Sequence, residues 1–259
     1  MSESVICNPH LRNLSRVEFV ITWACTGRCK HCCQGEHEGR GNTHVSPEIA
    51  ARTVGDLCAH YPITSVMTFG GEPLLHPETV CAIHAAARDC GVAKRQVITN
   101  GYFTKDPSRM DEVARALAES GVNDLLLSVD AVHQETIPPE AVKTFARSLL
   151  THGVPVRTQP AWVVNEAHEN PYNRTTRAIL GEFAAMGITA NTGNDILPEG
   201  NAATYLAEYY DLSATYVNPY ADDPFDLRTV TVDPDGTCLC GNINRSGVME
   251  LVKKYLPNG

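Results

Sequence analysis

The chain has 259 residues, 43% hydrophobic and 20% charged, a size that admits one large domain or one domain with a small addition. Its formal net charge of −9 and the lack of any Lys/Arg run disfavour phosphate-backbone binding, so nucleic acid is not an expected partner. No stretch nears the roughly 18 apolar residues of a membrane span, and the opening MSESVICNPHLRNLSR lacks a signal peptide's basic start and apolar middle. The expected setting is the cytoplasm, with no membrane association. Ten cysteines in that reducing compartment are not expected to be a disulfide framework.

RVEFVITW (16–23) alternates apolar positions as a strand does, and it runs into TWACTGRCKHCCQGE (22–36), four cysteines within nine positions. Ser46-Pro47 marks a helix start, an N-cap followed by Pro at the first helical position. ITSVMTF (63–69) predicts a second strand and HPETVCAIHAAARDCG (76–91) a helix ending at Gly91. KRQVIT (94–99) leads to a helix opened by Asp106-Pro107, with Met110, Val113, Ala114 and Leu117 on one face and Gly121 as C-cap. NDLLLSVD (123–130) reads as a strand buried on both faces, followed by a helix with Val142, Phe145, Ala146 and Leu149 in step. VPVRTQPAWVV (154–164) predicts a fifth strand, Thr175–Met186 a helix closed by Gly187, and ITANTGNDIL (188–197) a sixth strand. Cys58, Cys81 and Cys90 fall in helical patterns, where a cysteine serves as a small buried hydrophobe.

Six consecutive β/α units favour an α/β fold with a parallel sheet and helices outside, and doubly wound and barrel-like arrangements both satisfy them. After Pro198 the rhythm breaks. LRTVTVDPDGTCLCGNI (227–243) resembles a hairpin with a Pro-Asp-Gly turn, and GVMELVKKYL a short terminal helix. The expected division is an N-terminal extension over 1–15, a core domain over 16–200 and a C-terminal appendage over 201–259.

Cys25, Cys29 and Cys32 form C-x3-C-x2-C, a spacing at which soft thiolates suit zinc or an iron–sulfur cluster. A structural zinc site wants two close pairs, and the other close pair, Cys238 and Cys240, lies far along the chain. Three thiolates leave one metal position open, which suits a reactive site; a zinc-binding loop or an incidental cysteine cluster is the alternative.

C-x3-C-x2-C after a first strand is the signature of the radical S-adenosylmethionine (radical SAM) enzymes, and the chain resembles that superfamily. TFGGEPLLHPE (68–78) is similar to its Gly-Gly-Glu-Pro segment, ITNGYFT (98–104) to its Thr-Asn-Gly and LSVDAVHQE (127–135) to its Ser-x-Asp. ILPEGNA (196–202) is similar to its Pro-x-Gly-Arg-Ala, with Asn201 where that pattern has Arg. The resemblance implies a partial (β/α)6 TIM-like barrel with a small C-terminal appendage. It implies that Cys25, Cys29 and Cys32 bind three irons of a [4Fe–4S] cluster and that SAM chelates the fourth. Cys33 would then stay off the cluster, because it would occupy the iron that SAM needs.

Gly70 and Gly71 would let the backbone approach the methionine end of SAM, with Glu72 lining or stabilising that site; a plain strand-to-helix turn is the alternative for the glycines. Ser128 and Asp130, two apart at a strand end, would bond the ribose hydroxyls. Asn100 would do likewise or serve an Asn-Gly turn. Arg157 would pair with the SAM carboxylate or sit in an outward-facing ion pair, and Gly200 would meet the adenine.

The implied activity is reductive cleavage of SAM to a 5′-deoxyadenosyl radical, which abstracts hydrogen from a peptide or small-metabolite substrate. Peptide modification is favoured because DPDGTCLCGNINRSG (233–247) is similar to a shortened (SPASM/twitch-like) C-terminal segment of peptide-modifying members. There Cys238 and Cys240, with Cys7, would hold an auxiliary iron–sulfur cluster, or the pair is incidental. Cys33, Cys238 and Cys240 are candidate hydrogen-atom donors. His31, His37, His44, His76 and His133 lie in or near loops at the expected active face, where exposed or loop-anchoring roles are expected. An electron donor such as a flavodoxin or ferredoxin is the implied partner. The alternatives are an activating enzyme for a glycyl-radical protein and a non-catalytic regulator binding an iron–sulfur cluster, zinc or SAM.

Overall fold

The computed structural model describes residues 8–35 and 41–257. Each early strand is followed by its helix: β1 (Arg16–Val20) by α1 (Pro47–His60), β2 (Ser65–Phe69) by α2 (Pro77–Asp89), and β3 (Lys94–Thr99) by α3 (Pro107–Ser120). β4 (Asp124–Ser128) is followed by the short α4 (Ala131–Gln134) and by α5 (Pro139–Thr151), and β5 (Val156–Gln159) completes the run. The caps are those the residue types dictate. Ser46 accepts from the Ile49 N–H at the start of α1, and Asp106 from the Ser108 N–H at the start of α3. α3 buries Met110, Val113, Ala114 and Leu117 and ends at Gly121, whose φ of 85° favours glycine.

β1 to β5 lie side by side in that order, all parallel. α1 packs on α2, α2 on α3 and α3 on α5. Successive helices therefore cover one face of the sheet, as around a barrel, whereas a doubly wound fold would divide them between two faces. The strand order has open ends among the described residues, so the barrel is partial.

The expected fifth strand is two strands. Pro160 lacks an N–H for the ladder, and beyond it β6 (Ala161–Val163) leaves the main sheet to pair in parallel with β7 (Asn194–Ile196). β7 is what remains of the longer sixth strand expected over 188–197. α6 (Pro171–Ala184) begins before Thr175 because Asn170 accepts from the Asn173 N–H and Pro171 opens the first turn.

After α7 (Ala202–Tyr205), β8 (Thr229–Val232) lies parallel beside β1, with Val230 opposite Val17. β9 (Thr237–Cys238) and β10 (Gly241–Asn242) add an antiparallel edge after the Pro-Asp-Gly turn, and α8 (Val248–Lys254) packs on α1. The residues after 200 thus extend the main sheet. Asn8 Nδ2 donates to Val252 O at 2.7 Å and Tyr255 O at 2.9 Å, tying the chain's first described residues to α8. No described helix is long and apolar enough to cross a membrane.

Candidate active site

Parallel α/β architecture gathers loops at the C-terminal ends of its strands. A cavity of about 370 Å³ opens there, lined by Cys25, Cys29, Cys32 and Cys33 after β1, Gly70 and Gly71 after β2, Asn100 after β3, and Ser128 and Gln159 at the ends of β4 and β5.

The cysteine loop is held from two sides. On one, Gly71 N donates to Thr22 O at 2.7 Å and Glu72 N to Ala24 O at 2.8 Å. A Cβ on Gly71 would lie 2.1 Å from Ala24 O, and one on Gly70 2.8 Å from Thr22 O. Both glycines are demanded by the root of the cysteine loop itself. On the other side, Asn201 N donates to Cys32 O at 3.0 Å and Asn201 Nδ2 to Cys29 O at 3.1 Å. A Cβ on Gly200 would sit 2.5 Å from both Cys32 O and Cys33 O. Asn201→Ala leaves the buried Cys29 carbonyl without its side-chain donor; the expected loss is about 1–3 kcal/mol, read as a lower denaturation midpoint.

The thiols sit in a desolvated setting. Burial, aided by the Glu72 carboxylate, pushes Cys25 up to about 11, and burial with the neighbouring Cys25 and Asp130 pushes Cys29 higher still. A thiolate is costly there unless a cation takes it. Asn100 Nδ2 approaches Cys25 Sγ at 3.6 Å and donates to Thr26 Oγ1 at 3.1 Å, steadying the first thiol from the β3 side.

A family model described as the radical SAM superfamily matches residues 19–158, more than half of the chain. The chain belongs to the radical SAM superfamily. GTP 3′,8-cyclase of Chlorobaculum tepidum is 27% identical over 124 residues, which are 48% of this chain and 35% of that protein. The enzyme of that name from Tolumonas auensis is 25% identical over 121 residues, 47% of this chain and 34% of its own. The matches thus span about a third of the length of these curated relatives. Native anSMEcpe with bound AdoMet shares the fold, with a TM-score of 0.61 at 14% identity, covering 95% of this chain and 81% of that one. The same protein with AdoMet and a Cp18Cys peptide gives 0.57 at 14% identity, with the same coverage.

This radical SAM enzyme therefore works with a [4Fe–4S] cluster and SAM, and its donor set and cavity suit both. Several residues singled out from the sequence stand elsewhere than expected. Glu72 is fully buried behind the cavity wall: its carboxylate accepts from Thr99 Oγ1 at 2.6 Å, Asn100 N at 2.9 Å and Leu74 N at 2.9 Å. Burial raises it to about 7. It holds the end of β3 from behind and is not among the lining residues. Asn100 also accepts from Tyr102 N at 2.8 Å, with Gly101 at φ 72°, so the Asn-Gly turn and the cavity-lining position are both real.

Asp130 is fully buried and does not line the cavity, which corrects its assignment to the ribose. It caps α4 through Val132 N and His133 N, accepts from Ala161 N at 3.0 Å, and accepts from His133 Nδ1 at 2.6 Å. Burial works against its charge, yet His133 prevails and holds it at about 2. Arg157 is corrected to its alternative reading, an ion pair. Its Nη2 donates to both Asp124 oxygens at 2.7 and 2.8 Å and its Nη1 to Asn191 at 3.0 Å, two residues below the cavity-lining Gln159. Gly200 packs on the cysteine loop and is not a lining residue.

Neither Cys238 nor Cys240, the other candidate hydrogen donors, is among the residues that line the cavity. Leu239, at φ 51°, breaks the strand between them, so Cys238 turns into the core while Cys240 is exposed near Leu251 O. Same-face alternation therefore fails, and burial, Asp233 and Cys240 push Cys238 up to about 12. Cys7 and His37 lie outside the described residues. Sequence reasoning missed Gln159, Asn194 and Tyr220 at the cavity, and undervalued His31 and His133. These two histidines line the cavity edge-to-face, with ring centroids 4.5 Å apart. Burial, with His133 beside it, lowers His31 to about 4 and leaves it neutral.

Proposed function

We propose that Cys25, Cys29 and Cys32 hold the cluster, that SAM occupies the cavity beside Gly70, Gly71, Asn100 and Ser128, and that the substrate is a peptide. In this reading 16–200 is the catalytic domain, braced by the described residues 8–15 and 201–257, and a flavodoxin or ferredoxin supplies the electron. Together the bound cluster and SAM supply radical hydrogen-atom abstraction. The chain's own groups hold and exclude. Asn100 steadies Cys25, Glu72 fixes the backbone and hydroxyl at the end of β3, and Asn201 and Gly200 close the cysteine loop from outside. Phe69, Ile98 and Ile196 add apolar surface to the cavity wall.

The observation that carries the peptide reading is the charge at the cavity. Asp195 and Glu199 line it, and no lysine or arginine is among its described lining residues. A nucleoside triphosphate, as the names of the curated relatives suggest, would bring several negative charges to this wall with no guanidinium or ammonium among its described lining residues to receive them. A neutral or basic peptide meets no such penalty. The fold shared with anSMEcpe, whose structures include a peptide complex, accords with this choice.

The test compares stimulation of 5′-deoxyadenosine release from SAM by a pooled library of short Lys- and Arg-containing peptides and by GTP. Stimulation by the peptides and none by GTP supports the reading. Stimulation by GTP alone overturns it and favours a nucleotide substrate.

A further inference from the structure

A second cluster of metal-binding side chains stands outside the cavity. His44, in the segment leading into α1, stacks on His76 at the start of α2, with ring centroids 3.7 Å apart and planes 20° from parallel. Glu78, in the first turn of α2, brings Oε1 to 3.8 Å from His76 Nδ1. One ligating atom from each of the three lies within 4.8 Å of the others, and none of the three lines the cavity.

The polar partners favour ligation. Asn42 Oδ1 lies 2.8 Å from His76 Nε2. A carbonyl oxygen only accepts, so Nε2 carries the hydrogen and Nδ1 turns a bare lone pair toward Glu78. An oxygen on the remote ring nitrogen is the usual means of orienting a metal-binding imidazole. Two imidazoles and a carboxylate form a donor set that zinc takes in preference to calcium or magnesium.

We propose that His44, His76 and Glu78 bind a divalent transition-metal ion of zinc's class, with water completing the coordination. Zinc bonds of about 2.0–2.2 Å would set adjacent ligand atoms about 3.3 Å apart. Glu78 is exposed and His44 only partly buried, so His44 can turn out of its stack on His76 and aim a ring nitrogen at the ion, while His76 is buried and fixed. The N-terminal end of α2 opposes a cation, and the Glu78 carboxylate offsets it. Asn42 also accepts from Thr22 Oγ1 at 3.3 Å, at the root of the cysteine loop. The ion would therefore fasten residues 42–44 to α2 and brace that root from outside.

The test uses the full chain with its iron–sulfur cluster reconstituted, loaded with zinc and desalted, and counts zinc and iron separately. One zinc per chain is expected, falling to none in His44→Ala and in Glu78→Gln with iron unchanged. Neither replacement is at a buried position, and unchanged circular dichroism confirms folding. With cobalt(II) in place of zinc, the expected spectrum has d–d bands without a strong thiolate charge-transfer band. No retained zinc in the natural chain, zinc retained in either variant, or a thiolate-dominated cobalt spectrum overturns the site. Iron content and SAM cleavage report on the thiols independently.

Discussion

Cys32→Ala is expected to lose both iron–sulfur absorbance and SAM cleavage, while its neighbour Cys33→Ala keeps both. The two thiols are adjacent and both line the cavity, so proximity does not separate them. What separates them is the ligand count. A [4Fe–4S] cluster that must leave one iron for SAM has room for three protein thiolates, and in the proposed assignment Cys25, Cys29 and Cys32 would supply them at C-x3-C-x2-C spacing. Cys32 N donates to Cys29 O at 3.2 Å and Cys32 O accepts from Asn201 N, so its backbone is fixed on both sides, whereas the Cys33 residue is exposed. Loss of a mere supporting contact at a metal site costs about 10–100-fold, so loss of a ligand should exceed 100-fold. Iron per chain and 5′-deoxyadenosine formed per minute are the two readings. A Cys33→Ala protein without iron would move the fourth thiol into the cluster and sink the three-ligand assignment.

Gly71→Ala is expected to destabilise the chain by about 3 kcal/mol or more and to lower cluster occupancy with it. The new Cβ would fall 2.1 Å from Ala24 O and 2.8 Å from Trp23 O, both backbone atoms that no rotamer change can move. The strand end or the loop root must shift, and Ala24 is the residue before Cys25. Gly55→Ala is the control: this glycine lies within α1 with nothing within 4 Å of its would-be Cβ. That change should stabilise by about 0.5–1 kcal/mol through helix propensity. Chemical denaturation midpoints and iron content separate the two outcomes.

The repeating part of the fold was readable in the residues because each signal was local. Ser46-Pro47, Asp106-Pro107 and Gly121 mark helix ends by their own side chains and backbone preferences, and the structure places the ends there. The cysteine loop and the Gly-Gly-Glu-Pro and Thr-Asn-Gly segments were equally visible. How they join was not. Glu72 reaches Thr99 and Asn100 only because the β2–β3 ladder, with Thr68 opposite Val97, brings two strand ends side by side. Alternation told which face Arg157 takes but not its depth along β5, and depth decides that it meets Asp124 and not the cavity. Two-residue spacing put Asp130 on the face of Ser128, yet β4 ends at Ser128 and Asp130 turns into the cap of α4. An Asp directly before Ala-Val-His-Gln was the available signal for that cap. Asn201, noted only as a departure from the family pattern, is the residue that holds the Cys29 carbonyl.

The most direct measurement is the reaction itself. The chain, reconstituted with iron and sulfide without oxygen and then reduced, is given SAM, and 5′-deoxyadenosine is quantified. Product from the natural chain, and none from Cys32→Ala, is the expected result. A reduced chain with a full [4Fe–4S] cluster that releases no 5′-deoxyadenosine, with or without peptide, would contradict the assignment of this cavity to radical SAM chemistry.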